Sequence, residues 1–575
     1  MKSHNDSTSE NCKVTSPWYR SAVATAIIAA IFSLIIFALI VLNYVHGRVV
    51  GTKQETQLEN LKIEISDRPD DEQLLSQIRQ LDLQIRQQRI RRLDRSGMGG
   101  YLLVGSMAIF LLSLKCADIL KKRMPAPRLL ENMSNEQVRE ARFARWAVTA
   151  GFVVLGSGAL LLAIRPQIDF GAVGPVSVSW PSMEEIEKNW PSFRGPGGLG
   201  ISAYTNVPAN WNGKTGDGIL WKTKVPLQGN NSPVVWEDRV FLSGADPNQN
   251  QVFCFDAASG KLLWTGDVVR TSGGEPLEVD ENTGFAAPSV VTDGRRVYAI
   301  FATGNVGCFD FNGRKVWEKS LGIPDNVYGY ASSLAMYRNL LLIQNDQGSA
   351  EDQTSALIAL DGFSGRVVWQ TKRPVGNSWS SPIVTRIGDE FQVITCGDPW
   401  VIAYEPANGT ELWRVKCLSG DVAPSPIYAN GLIFAIEPYS KLVAIRPDGR
   451  GDVTETHIAW TIEEGGPDIC SPVSNGELIF MLSTEGWLSC YKLSDRNKAW
   501  EKDIGEYFTA SPSLVGNSVY LLSEKGVMYI VEAGNEYKEL ARSELGEDCR
   551  ASPAFADGRI YIRGIENLYC IGNTD

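Results

Sequence analysis

The sequence predicts an all-β eight-bladed propeller preceded by an α-helical membrane region with three transmembrane helices. Three observations predict it. Long uncharged apolar runs occur only before residue 166. From residue 191 a β-rich unit recurs at intervals of roughly 40–55 residues, the spacing of propeller blades. The two parts also differ in charge. Residues 1–190 carry 23 Lys+Arg against 19 Asp+Glu, and residues 191–575 carry 32 against 47. So acidic a C-terminal part argues against a nucleic-acid partner, because phosphate binding needs a basic surface.

After an N-terminal tail (1–20), the first span covers 21–43. Ser21 to Asn43 is uncharged and longer than the roughly 20 residues that cross a bilayer. A signal peptide has a shorter apolar core and a small-residue cleavage site. Cys12 precedes the run, which excludes a lipoprotein signal. Residues 51–97 form a polar segment in which Leu74, Ile78, Leu81 and Ile85 make a helical stripe, too short to establish a coiled coil. The second span is assigned to 98–117, with Gly105 and Ser106 small enough for close helix approach. A basic loop (118–145) leads to the third span, 146–165, and a linker (166–190) to the propeller (191–575).

Charge leaves the orientation open. The tail and the 115–145 loop hold three and eight basic residues, against ten in 48–95. The density of the loop favours a cytoplasmic placement for it and an external propeller.

Each propeller unit reads as four strands. The opening small-Pro steps are Pro233, Pro288, Pro382, Pro426, Pro472, Pro512 and Pro553, with Ser332-Ser333 in the third unit. Asp293-Gly294, Asn430-Gly431, Asn475-Gly476 and Asp557-Gly558 mark tight first hairpins. An Asp-x-x-x-Gly turn then leads to an outer strand ending in Trp264, Trp317, Trp369, Trp413, Trp460 or Trp500, with Leu540 standing in for the next. The last unit lacks a fourth strand. Ile219 to Val225, with its own Trp221, supplies it and closes the ring. Seven blades is the alternative if two units merge. The seven indoles are the expected blade-docking residues, each lying over the neighbouring blade's turn.

At this point the residues resemble a known family. Phe255-Asp256-Ala257-Ala258-Ser259-Gly260-Lys261-Leu262-Leu263-Trp264 resembles the tryptophan-docking repeat of the pyrroloquinoline quinone (PQQ)-like propellers, and Tyr404 to Trp413 is a second copy. Trp190-Pro191-Ser192-Phe193-Arg194-Gly195-Pro196-Gly197-Gly198 is similar to the lead-in of many bacterial members. The resemblance covers about residues 190–575 and implies a quinoprotein dehydrogenase-like fold. It also implies two functions: PQQ- and Ca²⁺-dependent dehydrogenases, and scaffolds such as the outer-membrane assembly lipoprotein BamB. Members usually act outside the cytoplasm, which places the propeller extracytoplasmically on a multi-pass inner (cytoplasmic) membrane protein.

The residues favour the scaffold. A quinone needs stacking planes, oxygen-ligated Ca²⁺ and a carboxylate base. The ten Cys include no adjacent pair, and the compact repeats leave little chain for a cap beyond 265–286 and 344–355. Asn345-Asp346 with Glu351-Asp352 could supply Ca²⁺ oxygens, but a solvated loop is the plainer reading. Asp398-Pro399-Trp400 reads as a hairpin, and His457 as a surface residue. Asp256, Asp310 and Asp361 recur as turn formers. With three His and no paired spacing, zinc is not expected, and most cysteines read as buried thiols. No catalytic, cofactor-binding or metal residue is assigned. The expected partners are membrane lipid, through the three helices, and another envelope protein. A ligand-sensing propeller is a third reading, though 121–145 is too short for an output domain.

Overall fold

The computed structural model describes residues 18–37, 105–107, 109–117, 119, 120, 180–270, 277 and 279–573. The chain divides into two units, Met1–Gly174 and Pro175–Asp575.

In the first unit, helix α1 (Trp18–Phe37) is long and apolar enough to cross a membrane, a property shared by membrane anchors and signal sequences. At 1.5 Å per residue its length is about 30 Å, the thickness of a bilayer core. Helix α2 (Gly105–Ala117) is apolar but shorter. Ala26, Ala29 and Ser33 are the buried positions of α1, and the hydroxyls of Ser33 and Ser106 are hydrogen-bonded at 2.7 Å. Small residues at this contact let the two backbones approach. The described residues thus hold one helix of spanning length, not three. The third expected span (146–165), the 51–97 stripe and all of the 118–145 loop but residues 119 and 120 lie outside them.

The second unit is a closed ring of eight blades. Blade 1 comprises Val234–Trp236, Arg239–Ala245, Asn250–Asp256 and Leu262–Val268. Blades 2 to 7 span 291–320, 335–372, 383–416, 427–462, 473–503 and 513–544. Blade 8 joins 554–571 to the early strand Ile219–Lys224, in which Trp221 pairs with Cys570. This early strand of the propeller thereby closes the ring on its last blade.

The second and third strands of each blade are apolar on both faces, as in Val240-Phe241-Leu242 and Leu357-Ile358-Ala359-Leu360, because each is packed between neighbouring blades. The outer strands alternate exposed and covered residues. A bulge one residue before each outer-strand Trp offsets the register, and the Trp then faces a small residue of the third strand. That residue is Cys254, Cys308, Cys490 and Cys570 in four blades, and Ala359, Ala403 and Ala444 in three others. The recurring cysteines are therefore space-matched core residues, and the eight propeller thiols are free and buried. Burial pushes the Cys254 and Cys570 thiols up to about 12.

Two alignments need correcting. In blade 2 the position that opens the inner strand is Ser289, two residues before Val291, as Ser232 is before Val234. Pro288 sits two residues too early to match the other prolines, whose place is taken by Val290. In blade 7 the register places Ala541, not Leu540, where the Trp stands elsewhere.

Candidate functional site

The lead-in closes one end of the axial channel. Trp190 exchanges backbone hydrogen bonds with Val235 of blade 1, and Thr292 of blade 2 donates to Pro191 O. Ile201–Ser202 pairs in parallel with the inner strand of blade 7. Arg194, fully buried, donates to Pro472 O of blade 6 at 2.6 Å. It has no carboxylate partner, its Nε and Nη1 are unbonded, and burial pushes its guanidinium down to about 9. The segment thus ties inner strands on opposite sides of the ring. A Cβ on Gly195 would overlap the Trp190 indole, so the glycine after Arg194 is a packing requirement.

Above this plug runs a ladder of serines. The backbone N–H of Ser232 donates to Ser289 Oγ, Ser289 to Ser333, and so on through Ser381, Ser425, Ser471, Ser511 and Ser552, at 2.9–3.0 Å. Each bond joins one blade to the next. The proline that usually follows the serine removes a donor from the axial edge of the inner strand, which blunts that edge. At the closing junction Arg563 of blade 8 donates to Asn231 Oδ1, Ser243 O and Leu227 O.

The serines floor a funnel of about 600 Å³. Its wall comes from the connections between blades, carrying Asp280, Tyr328, Trp379, Asp421, Ile469 and Arg550, and from hairpins carrying Tyr439, Thr484 and Glu524. Phe193 of the lead-in reaches its base. The lip is exposed: Tyr439 by 74%, Tyr328 and Ile469 by 42% each. Tyr328 and Trp379 stand 5.0 Å apart, and the Trp379 indole N–H donates to Asn326 Oδ1. The Tyr328 hydroxyl donates to Asp421 Oδ2 and that of Tyr439 to Asp468 Oδ2, both at 3.3 Å. The adjacent Asp421 and Asp468 charges push these two phenols up. Asp468 also accepts from the Thr484 N–H and hydroxyl.

The seven singled-out tryptophans lie away from this funnel. Trp221, Trp264, Trp317, Trp369 and Trp500 donate their indole N–H to carbonyls of the next blade's turn: Ala257, Phe311, Gly362, Pro406 and Gly534. A Cβ at Gly260 or Gly313 would enter the ring of Trp221 or Trp264. Trp413 differs. Blade 5 carries an insertion, with Gly451–Asp452 added to the outer edge of blade 4 and helix α3 (Thr454–His457) behind it. Trp413 is fully buried and donates to Gln392 Oε1, and Gln392 Nε2 donates to Pro447 O. The side chain relays the dock. Trp460 packs on Phe434 in the blade 5–6 core. At blade 7, where Ala541 stands, Trp211 of the lead-in fills the same core cluster, held by the Ser543 hydroxyl. No repeat position marks Trp211 in the sequence.

The other sequence candidates have structural partners. Asp346 is paired with Arg373, both side chains fully buried, and also accepts from Gln344 and Ser378. Burial pushes the Arg373 guanidinium down and Asp346 more than reverses it. Asp352 holds the Ser349 turn. Asp398 and Pro399 link two strands of blade 4, with Arg414 over the Trp400 ring. His457 ends α3 beside Asp448. Among the described residues no group of His, Cys, Asp and Glu is placed to hold a metal ion.

Known proteins match in fold. The family described as outer membrane protein assembly factor BamB matches residues 201–356 and 350–538. Among solved structures, quinohemoprotein alcohol dehydrogenase from Comamonas testosteroni is 14% identical over 68% of this chain and 81% of its own, with a TM-score of 0.51. A europium-containing methanol dehydrogenase is 12% identical over 67% and 91%, with a TM-score of 0.52. BamB from Moraxella catarrhalis is 14% identical over 61% and 99%, with a TM-score of 0.46. Such identities speak to fold alone. No curated protein matches.

Proposed function

The chain belongs to the family of the outer membrane protein assembly factor BamB, and on that footing we propose that it is a membrane-anchored, non-enzymatic protein-binding scaffold of the bacterial cell envelope. The observation that carries this reading is the funnel. It is plugged at one end by the lead-in, and its exposed lip of aromatic and acidic side chains holds the features of a docking surface. The alternative, a quinoprotein dehydrogenase, asks for groups these residues supply badly. A quinone of this class is a planar polycarboxylate. The wall would set Asp280, Asp421, Asp468 and Glu524 against it, with Arg550 as the one cation among the described lining residues. Asp346, the sequence candidate for Ca²⁺, is already neutralised by Arg373.

The anchor enters the proposal as multi-pass in the inner membrane, with the propeller outside the cytoplasm. The Ser33–Ser106 bond supports α2 as the partner of α1. The third span is proposed from sequence alone.

The test is direct. Purified full-length protein soaked in PQQ and Ca²⁺ should remain colourless and inert towards alcohols and aldose sugars; an absorption band with dye reduction would overturn the scaffold. A photo-cross-linker at Tyr439 in native membranes should capture one defined protein, and one at Lys261 should not. A C-terminal alkaline-phosphatase fusion should be active, and an inactive one would reverse the topology.

A further inference from the structure

The lip of the funnel is not uniform. Asp280, Tyr328, Asp421, Tyr439 and Asp468 follow one another along one arc, Tyr439 from a hairpin of blade 5 and the other four from connections between blades 1 and 6. Carboxylates and phenols alternate, and two of the phenols touch their neighbours directly. No lysine or arginine forms an ion pair with Asp280, Asp421 or Asp468 among the described residues. The one cation among the described wall residues, Arg550, stands at the Asp280 end of the arc, where it donates to Asn282 O, and the Asp421–Asp468 end has no such neighbour in the lining. Tyr439 presents its ring to solvent, and the Tyr328–Trp379 corner presents two more faces, with the indole fixed by Asn326.

This arrangement has a chemistry. An aromatic face attracts a cation through its quadrupole, and a carboxylate beside it supplies a hydrogen-bond acceptor of opposite charge. A guanidinium uses both together, since it stacks on a ring and forks to a carboxylate. An anionic or neutral guest would leave the acidic arc unopposed. The cavity, about 600 Å³, admits a segment of peptide and not merely an ion.

We propose that the funnel takes an arginine-bearing extended segment of a partner protein, with the guanidinium seated between the Tyr328–Trp379 corner and Tyr439 and paired to Asp421 and Asp468. This rests on the scaffold reading above and adds the chemical class of the partner.

The probe is a short fluorescent peptide alternating arginine and glycine, with its glutamate counterpart as control, titrated by anisotropy into the full chain in neutral detergent. The arginine peptide should bind and the glutamate peptide should not. Replacing Asp421 and Asp468 together by Asn should weaken binding by about tenfold or more, because charge-assisted bonds are lost without change of shape. Tyr439→Phe keeps the ring and should bind within about twofold of the wild type, whereas Tyr439→Ala should lose several-fold. The paired variant Asp389→Asn, Asp495→Asn removes the same charge from exposed turns away from the funnel and should leave affinity unchanged. Equal weakening by both charge-neutralised pairs would mean diffuse attraction to an acidic protein and overturn the proposal. Absence of arginine-peptide binding, with partner capture at Tyr439 intact, would also overturn it and leave the scaffold standing. PQQ-dependent dye reduction would remove the scaffold itself.

Discussion

The two ends of the axial channel are built from the same eight inner strands and differ in what they do with them. At the plugged end, Trp190, Arg194 and the glycines around them are buried, and the chain crosses between blades on backbone hydrogen bonds. At the open end, Tyr328, Tyr439, Ile469 and Asp421 stand in solvent. Closure is thus met at one end by packing, which fixes those residues for stability. The other end is left with side chains that the fold does not need. Residues exposed without a packing role are the ones free to serve recognition.

The largest expected effect lies at the plug. Trp190 is buried against Phe555 at 5.5 Å. Trp190→Ala should cost about 3–5 kcal/mol, the usual cost of emptying a large aromatic site. Denaturant unfolding of the full chain would show it as a lower midpoint with unchanged slope. A midpoint equal to the wild type would mean the lead-in is an appendage, and the contrast between the two ends would fail.

The serine ladder between the ends should be intermediate. Ser381→Ala leaves the Ser333 N–H buried without its acceptor. The cost is about 1–3 kcal/mol for an unsatisfied buried donor. Faster hydrogen exchange at Ser333 than in the wild type would locate the loss at the blade 3–4 junction.

How much of this was legible in the sequence follows from which features repeat. The blades, the Trp-ended outer strands and the closing role of Ile219 to Val225 all carry a periodic signal, because each blade solves the same burial problem. The Ser-Pro step was visible too, but as a small residue before a proline. That its hydroxyl receives the preceding blade's N–H is a relation across some 40–57 residues, which one repeat does not display. Features that occur once were hidden. Trp211 has no counterpart in other blades. Gln392 became a relay only because an insertion in blade 5 displaced the turn Trp413 would have met. The bulge hid the exchange of Leu540 for Ala541, since sequence spacing cannot tell which of two adjacent residues is skipped. The funnel residues were hidden for a related reason: they lie on connections, which vary from blade to blade where the strands do not.

A carboxylate near the open end sharpens the contrast, because it is structural. Glu547 accepts from the Tyr569 hydroxyl, the Asn567 side chain and the backbone N–H groups of Glu566 and Asn567, which ties down the closing blade. Burial pushes its carboxyl up, and these bonds more than reverse that, so its folded value lies below the ordinary one. The stability it gives is therefore complete above the unfolded carboxylate range and is lost as pH falls through the folded value. Glu547→Gln should be less stable than the wild type at neutral pH by roughly 1–2 kcal/mol. The gap should narrow below about pH 4, read from thermal midpoints across pH.

The smallest expected effect is the one on which the comparison turns. Tyr439 touches Asp468 through its hydroxyl and otherwise lies open to solvent. Its removal creates no cavity and strands no buried group, and Asp468 keeps the two donors of Thr484. Tyr439→Ala should therefore change stability by less than about 0.5 kcal/mol, the range of exposed substitutions. Asp421→Asn should do the same, since the carboxylate faces water and its one phenol partner can still bond the amide oxygen. A drop comparable to that of Trp190→Ala would show that the open lip is held together as tightly as the plug, and its residues would have to be read as part of the fold. Unchanged midpoints alongside lost peptide binding would separate the two ends in the same measurement, one by stability and the other by affinity.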